Sequence, residues 1–185
     1  SVLVIGAGIA GMTSALTLAD QGFKVYLIEK EPEVGGNLRK LHKLYPTMQD
    51  TSEVLEPIAK AVKAHKNIQL MTSTMISEVK GYVGNFKATA TKNGEKIDLE
   101  VGTIIVACGA INYRPPEGLY QYGVFDRVVT QLEMDEMLKE GRLPKPERIV
   151  MIQCVGARKG EIRAVDLAGF PKSDTAFLLS KILKA

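Results

Sequence analysis

Apolar positions along the first third of the chain alternate between two periods. Val2-Leu-Val-Ile and Val25-Tyr-Leu-Ile are short continuous apolar runs, the pattern of strands buried on both faces. Between them lie Gly6-Ala-Gly8-Ile-Ala-Gly11 and a stretch with helical spacing, so the order strand, tight turn, helix, strand is expected. A second helix is predicted from Asp50 to Ala64, with Val54, Leu55, Ile58, Ala61 and Val62 on one face. Asn67-Ile-Gln-Leu-Met-Thr reads as a short strand joining the same parallel sheet.

From Ile76 to Val101 the period falls to two. A Gly84-Asn85 turn and an Asn93-Gly94 hairpin signal divide this stretch into a three-stranded antiparallel meander. It delivers the chain into Thr103-Ile-Ile-Val-Ala-Cys-Gly109-Ala110, a further strand ending in a glycine turn. Beyond it, Arg114-Pro-Pro-Glu-Gly118 is a loop, and Thr130-Gln-Leu-Glu133 is a capping box opening a helix that ends before Gly141. Arg148–Gly156 is predicted as a buried strand and Ser173–Leu183 as one more helix. The expected organisation is an α/β domain over 1–113, with its meander at about 76–101. An extension of two helices and one strand follows over 114–185.

Composition narrows the class without setting the function. The 185 residues are 45% hydrophobic, and 24 Lys and Arg against 21 Asp and Glu leave +3. That charge is too small and too dispersed for a nucleic-acid partner. Ser1–Ala19 is uncharged but has neither a basic leader nor a cleavage pattern, so no membrane span or signal peptide is expected and a cytoplasmic setting is. Cys108 and Cys154 lie in apolar runs, which indicates neither a disulfide framework nor a metal site. His65, near a helix end, reads as a surface residue, and His42 lies in a basic loop. The abrupt start at the first strand suggests a domain cut from a longer polypeptide.

The chemistry concentrates in three glycine turns. In the first, Gly6 permits the bend, Gly8 lets backbone approach a pyrophosphate and Gly11 lets the helix pack closely on the strand. Ile9 and Ala10 open the helix, whose free N–H groups and positive dipole end suit phosphate. Glu29 ends the second strand 18 residues beyond Gly11, close to the offset at which a carboxylate accepts hydrogen bonds from a ribose diol and repels a 2′-phosphate. Gly35-Gly36-Asn37 then forms a second pair resembling that of flavoproteins, which favours FAD over NAD. Ala107-Cys108-Gly109 resembles the strand end that closes the FAD domain of the glutathione-reductase type, and a meander before the last strand is how that domain is built. There the position matching Ile76 packs on adenine, although an ordinary core aliphatic explains Ile76 equally well. Positive groups that could stabilise a reduced flavin are Arg39, Lys40 and Lys43, then Lys30 and Arg114. No acid, base or nucleophile stands out as catalytic.

Gly35-Gly-Asn-Leu-Arg-Lys-Leu-His-Lys-Leu-Tyr-Pro-Thr47, Val83-Gly-Asn-Phe86, Val129-Thr-Gln-Leu-Glu133 and Val150–Arg158 together resemble the flavin subunit of heterodisulfide reductase and its relatives. The resemblance covers residues 2–158. It implies an FAD-carrying electron-transfer oxidoreductase of α/β, Rossmann-like fold that works with redox partner proteins, iron–sulfur proteins among them. This chain departs from the family after Thr47 and after Arg158, where members carry cysteines, and in the meander, where members often insert a cluster module. The family's iron–sulfur chemistry is therefore not expected here. The competing readings are a fragment of an NAD(P)H-dependent oxidoreductase of the pyridine nucleotide-disulfide type and a structural protein with an empty nucleotide fold. The first would need a second GxGxxG, and the turn after the 148–155 run is Gly156-Ala-Arg-Lys-Gly160.

Overall fold

In a computed structural model of the chain, residues 1–143, 148–153 and 155 are described. They divide into two compact units, one of 1–39 with 50–110 and one of 40–49 with 111 onward.

The first unit has three layers. Four parallel strands, β1 (Val2–Ile5), β2 (Val25–Ile28), β5 (Ile68–Met71) and β9 (Thr103–Val106), lie in the order β5-β2-β1-β9. Their register places Val2 beside Val25 and Thr103, and Val25 beside Ile68. Side chains alternate strictly between faces. Val2, Val4, Val25 and Leu27 point into one core, with Met12, Ala15 and Ala19 of α1 (Ile9–Asp20) and Val62 of α2 (Thr51–Ala64). Leu3 and Ile28 point into the other, against Ala88, Ala90, Leu99 and Val101 of the meander. This explains why β1 and β2 lack polar positions: each face is covered.

The meander runs through β6 (Thr74–Tyr82), β7 (Asn85–Lys92) and β8 (Glu95–Val101), with a bulge between Ile76 and Glu78. Its second turn, Asn93-Gly94, has positive φ at both residues (51° and 87°), as the tightest hairpins need. α2 passes through Pro57, which the sequence pattern does not flag. Pro57 lies on the exposed side of the helix, where the carbonyl left without an amide is open to solvent at little cost. His65 is not the free surface residue expected. It caps the end of α2, half-buried, with Nδ1 accepting from the Asn67 amide at 3.1 Å and Nε2 3.3 Å from Asp20.

In the second unit, β3 (Lys43–Leu44) and β4 (Gln49–Asp50) are brief paired strands, and α3 (Gln131–Lys139) opens on the expected capping box. Glu133 Oε2 accepts from the Thr130 N–H at 2.8 Å and from its hydroxyl at 2.9 Å. Glu133 Oε1 accepts from Tyr122 at 2.7 Å and Arg114 at 3.1 Å. Burial, the largest single influence, pushes this carboxyl up. The Thr130 N–H, the Tyr122 and Thr130 hydroxyls and the Arg114 charge outweigh it and hold it below the ordinary 4.5. A depressed carboxylate contributes stability above its unfolded pKa and loses it as pH falls through the folded value. The start of α3 is therefore expected to hold at neutral pH and to fray as pH falls below the ordinary carboxylate range, followed by NMR of the Thr130 and Glu133 amides. A Glu133→Gln variant that frayed over the same acid range would contradict this.

Over the described residues 148–153 and 155, the predicted buried strand at 148–156 is not formed. Residues 148–153 are not in a strand, and Val150 is 87% exposed, with Ile149 and Ile152 also exposed. A strand exists only as part of a ladder, and no described segment pairs with this run. Cys154, the Gly156–Gly160 turn and the predicted helix Ser173–Leu183 lie outside the described residues.

Candidate functional site

The strand order changes direction between β1 and β9, since the chain goes from β1 to β2 and β5 on one side and returns to β9 on the other. Ligands of open α/β sheets bind at the carboxyl ends of the strands at such a switch point. Three turns emerge there: Gly6–Gly8 from β1, Gly35–Asn37 after β2 and Ala107–Ala110 from β9.

These turns are bound to one another. Gly35 N–H donates to Ala7 O at 2.7 Å, and Gly8 and Gly35 form a parallel bridge. Ala107 N–H donates to Ile5 O at 2.8 Å, and the Cys108 thiol faces the same carbonyl at 3.7 Å. The Asn37 side-chain amide donates to Ala110 O at 3.1 Å.

Each glycine of the fingerprint has a distinct steric reason. Gly6 sits at φ +103°, and a Cβ there would lie 2.4 Å from Ala107 O. A Cβ on Gly11 would fall 1.8 Å from Gly6 O, so α1 could not approach the turn. Gly8 differs: its φ of −73° suits any residue, and a Cβ would meet nothing within 4 Å. Nothing in the fold requires glycine at position 8, whereas a ligand lying against that backbone would. α1 begins directly after it, with no side-chain cap and no acidic residue in its first turn. The N–H groups of Ile9, Ala10 and Gly11 precede the first intrahelical bond, which Met12 N–H makes to Gly8 O at 3.0 Å. Ile9 and Ala10 are exposed there. The result is an uncompensated positive helix end beside open backbone, the chemistry of an anion cradle.

Glu29 is only 6% exposed and lies against this turn. Its Oε2 accepts from Ala7 N–H at 2.7 Å and its Oε1 from Glu31 N–H at 3.0 Å. Each carboxylate oxygen keeps a lone pair for a ribose hydroxyl. Glu29→Ala should therefore act twice. Two backbone donors lose their acceptor, costing roughly 1–3 kcal/mol of stability, and a bound dinucleotide should weaken about 10- to 150-fold. Thermal melts and calorimetric titration separate the two, and unchanged affinity would remove Glu29 from the site.

Ile76 is half-buried against the meander-side core, the position of a packing residue. Lys30 is exposed and 3.8 Å from Glu31, and Arg39 is paired with Glu33. Arg114, in the second unit, is exposed and engaged by Tyr122 and Glu133. Lys40 is exposed, while His42 and Lys43 are half-buried. Cys108 and Gly109 are exposed after β9, with Gly109 at φ +69°. Sequence reasoning missed the Asn37–Ala110 bond, because no local pattern announces a contact across 73 positions. Among the described residues there is no cluster of three or more metal-ligating side chains, and no helix is long and apolar enough to cross a membrane.

A four-stranded parallel sheet with helices on one face, a meander on the other and a glycine cradle at its switch point defines a dinucleotide-fold oxidoreductase domain. Residues 1–154 match the model of the pyridine nucleotide-disulphide oxidoreductases, and the chain belongs to that family. It is similar to a CoB–CoM heterodisulfide reductase iron-sulfur subunit of Methanopyrus kandleri, 32% identical over 85% of this chain and 37% of that protein. The chain thus spans little more than a third of the curated relatives it matches. That alignment runs over 248 positions, more than the 185 residues present here, so the relative carries inserted segments where this chain is continuous. Among solved structures it is similar to L-proline dehydrogenase from P. horikoshii, with TM-score 0.56 and 26% identity over 62% of this chain and 23% of that one. It also resembles Lactococcus lactis thioredoxin reductase, with TM-score 0.53 and 25% identity over 66% of this chain and 40% of that one.

Proposed function

We propose that this chain is an FAD-binding electron-transfer domain of the heterodisulfide reductase type, working with redox partner proteins in the cytoplasm. The observation that carries the reading is the cradle at Gly8: open space against extended backbone, an uncapped helix end and a buried acid beside it. The family match supports a flavin, and the name of the Methanopyrus relative, one subunit of a reductase, supports a protein partner; iron–sulfur proteins are the partners this reading takes.

When bound, FAD would supply the redox chemistry at its isoalloxazine ring. The residues of this chain bind and orient it. Ile9 and Ala10 would donate their free N–H groups to the pyrophosphate, and Glu29 would accept from the adenosine ribose. Gly35, Gly36 and the backbone of Asn37 would bound the pyrophosphate on the β2 side, and Ala107, Cys108 and Gly109 would bound the flavin side. The only GxGxxG among these 185 residues is the one at Gly6–Gly11, so electrons are taken to arrive from a partner protein or from a domain outside this sequence. Anaerobic mixing of the FAD-loaded chain with excess NADH or NADPH should therefore bleach the flavin slowly or not at all, while a reduced iron–sulfur partner bleaches it fast. Millisecond bleaching, saturable in the nucleotide, would favour direct hydride transfer and sink the relay.

A further inference from the structure

The Asn37 side chain is engaged far along the sequence, by the backbone of Ala110. Asn37 follows β2 and Ala110 follows β9, and in the sheet β1 lies between them. The hydrogen bond from Asn37 Nδ2 to Ala110 O, 3.1 Å long, therefore links the segments that leave the sheet on either side of β1.

Both ends of this bridge are prepared by close backbone contacts. On the β2 side, Gly35 is held by Ala7 O, and a Cβ on Gly36 would come 3.3 Å from Gly8 Cα. On the β9 side, the Ala107 N–H and the Cys108 thiol both face Ile5 O, which anchors the start of the loop. Past Gly109, at φ +69°, the Asn37 amide is the one side chain among the described bonds that holds the loop's far end.

We propose that Asn37 is a positioning residue: its amide ties the Cys108–Ala110 loop to the second glycine turn and so sets the width of the crevice that receives the flavin end of the dinucleotide. This rests on the FAD reading for its ligand, but not for the tether itself. Asn37→Asp is nearly isosteric and replaces the donor with an oxygen that repels Ala110 O. Asn37→Ala removes the donor without adding charge. Both substitutions are at an exposed position, so the melting temperature should stay at the wild-type value.

The test reads the loop first in the ligand-free chain, by 15N relaxation of Gly109 and Ala110. Order parameters should fall from about 0.85 toward 0.6 or below in both variants, while those of β1 and β9 stay unchanged. With FAD added, the visible circular dichroism and the midpoint potential of the flavin should shift, and affinity should drop by about 3- to 10-fold, the effect of one hydrogen bond. Unchanged loop order in Asn37→Ala would overturn the tether. So would a loss of affinity with unchanged loop order, since that marks a direct contact to the ligand. If the wild-type chain bound no FAD, the FAD reading would fail while the relaxation data still judged the tether.

Discussion

Gly8→Val is expected to fold and melt like the wild type while losing dinucleotide binding by on the order of 100-fold or more, a change of about 2.8 kcal/mol. The two halves of this expectation have separate causes. Backbone at φ −73° and ψ −176° is ordinary for valine, and the new Cβ meets no atom within 4 Å, so stability should move by no more than about 0.5 kcal/mol. The γ-methyls, however, stand in the open space before the N–H groups of Ile9 and Ala10. A pyrophosphate would have to occupy the same volume. Thermal melts beside flavin content after reconstitution report the two halves independently.

Gly11→Ala should show the opposite balance. Its Cβ would lie 1.8 Å from Gly6 O and 3.3 Å from the Ala107 side chain, and Gly6 O is backbone that cannot rotate away. α1 must lift off the turn, which breaks its packing through Met12 and Ala15 against Val2 and Val4. Overpacking of this severity costs about 3 kcal/mol or more. For a chain of this size that is a fall of roughly 6–12 °C in melting temperature, measurable by calorimetry. Binding falls with it, because the helix N-terminus moves away from the cradle. A stable Gly11→Ala protein would mean that α1 does not pack on the turn as described.

Much of the first unit was legible because its signals are local. Four apolar residues in a row at Val2–Ile5, the apolar run that Glu29 closes and the Asn93-Gly94 turn each carry their signal within a few residues. The capping box at Thr130 is equally local, and α3 starts where it says. Features that depend on distant partners were not legible. The meander's strands could be read, but not that Ala88 and Ala90 would pack against Leu3 and Ile28. The joining of 40–49 with the residues from 111 onward has no trace in local pattern. The apolar run at 148–153 misled for the same reason: β-forming residues record a propensity, and the ladder partner decides. Of the candidate site, the glycines and Glu29 came from spacing. What spacing could not supply was the web of bonds from Ala7, Gly35 and Asn37 that joins the three turns.

The central claim is that the Gly8 cradle holds FAD, and equilibrium titration of the ligand-free chain with FAD, beside Gly8→Val, tests it most directly. The wild type should bind one FAD per chain and develop a protein-bound flavin spectrum near ~450 nm, while Gly8→Val, equally folded, should not. Equal FAD binding by both proteins, or none by the wild type, would contradict it.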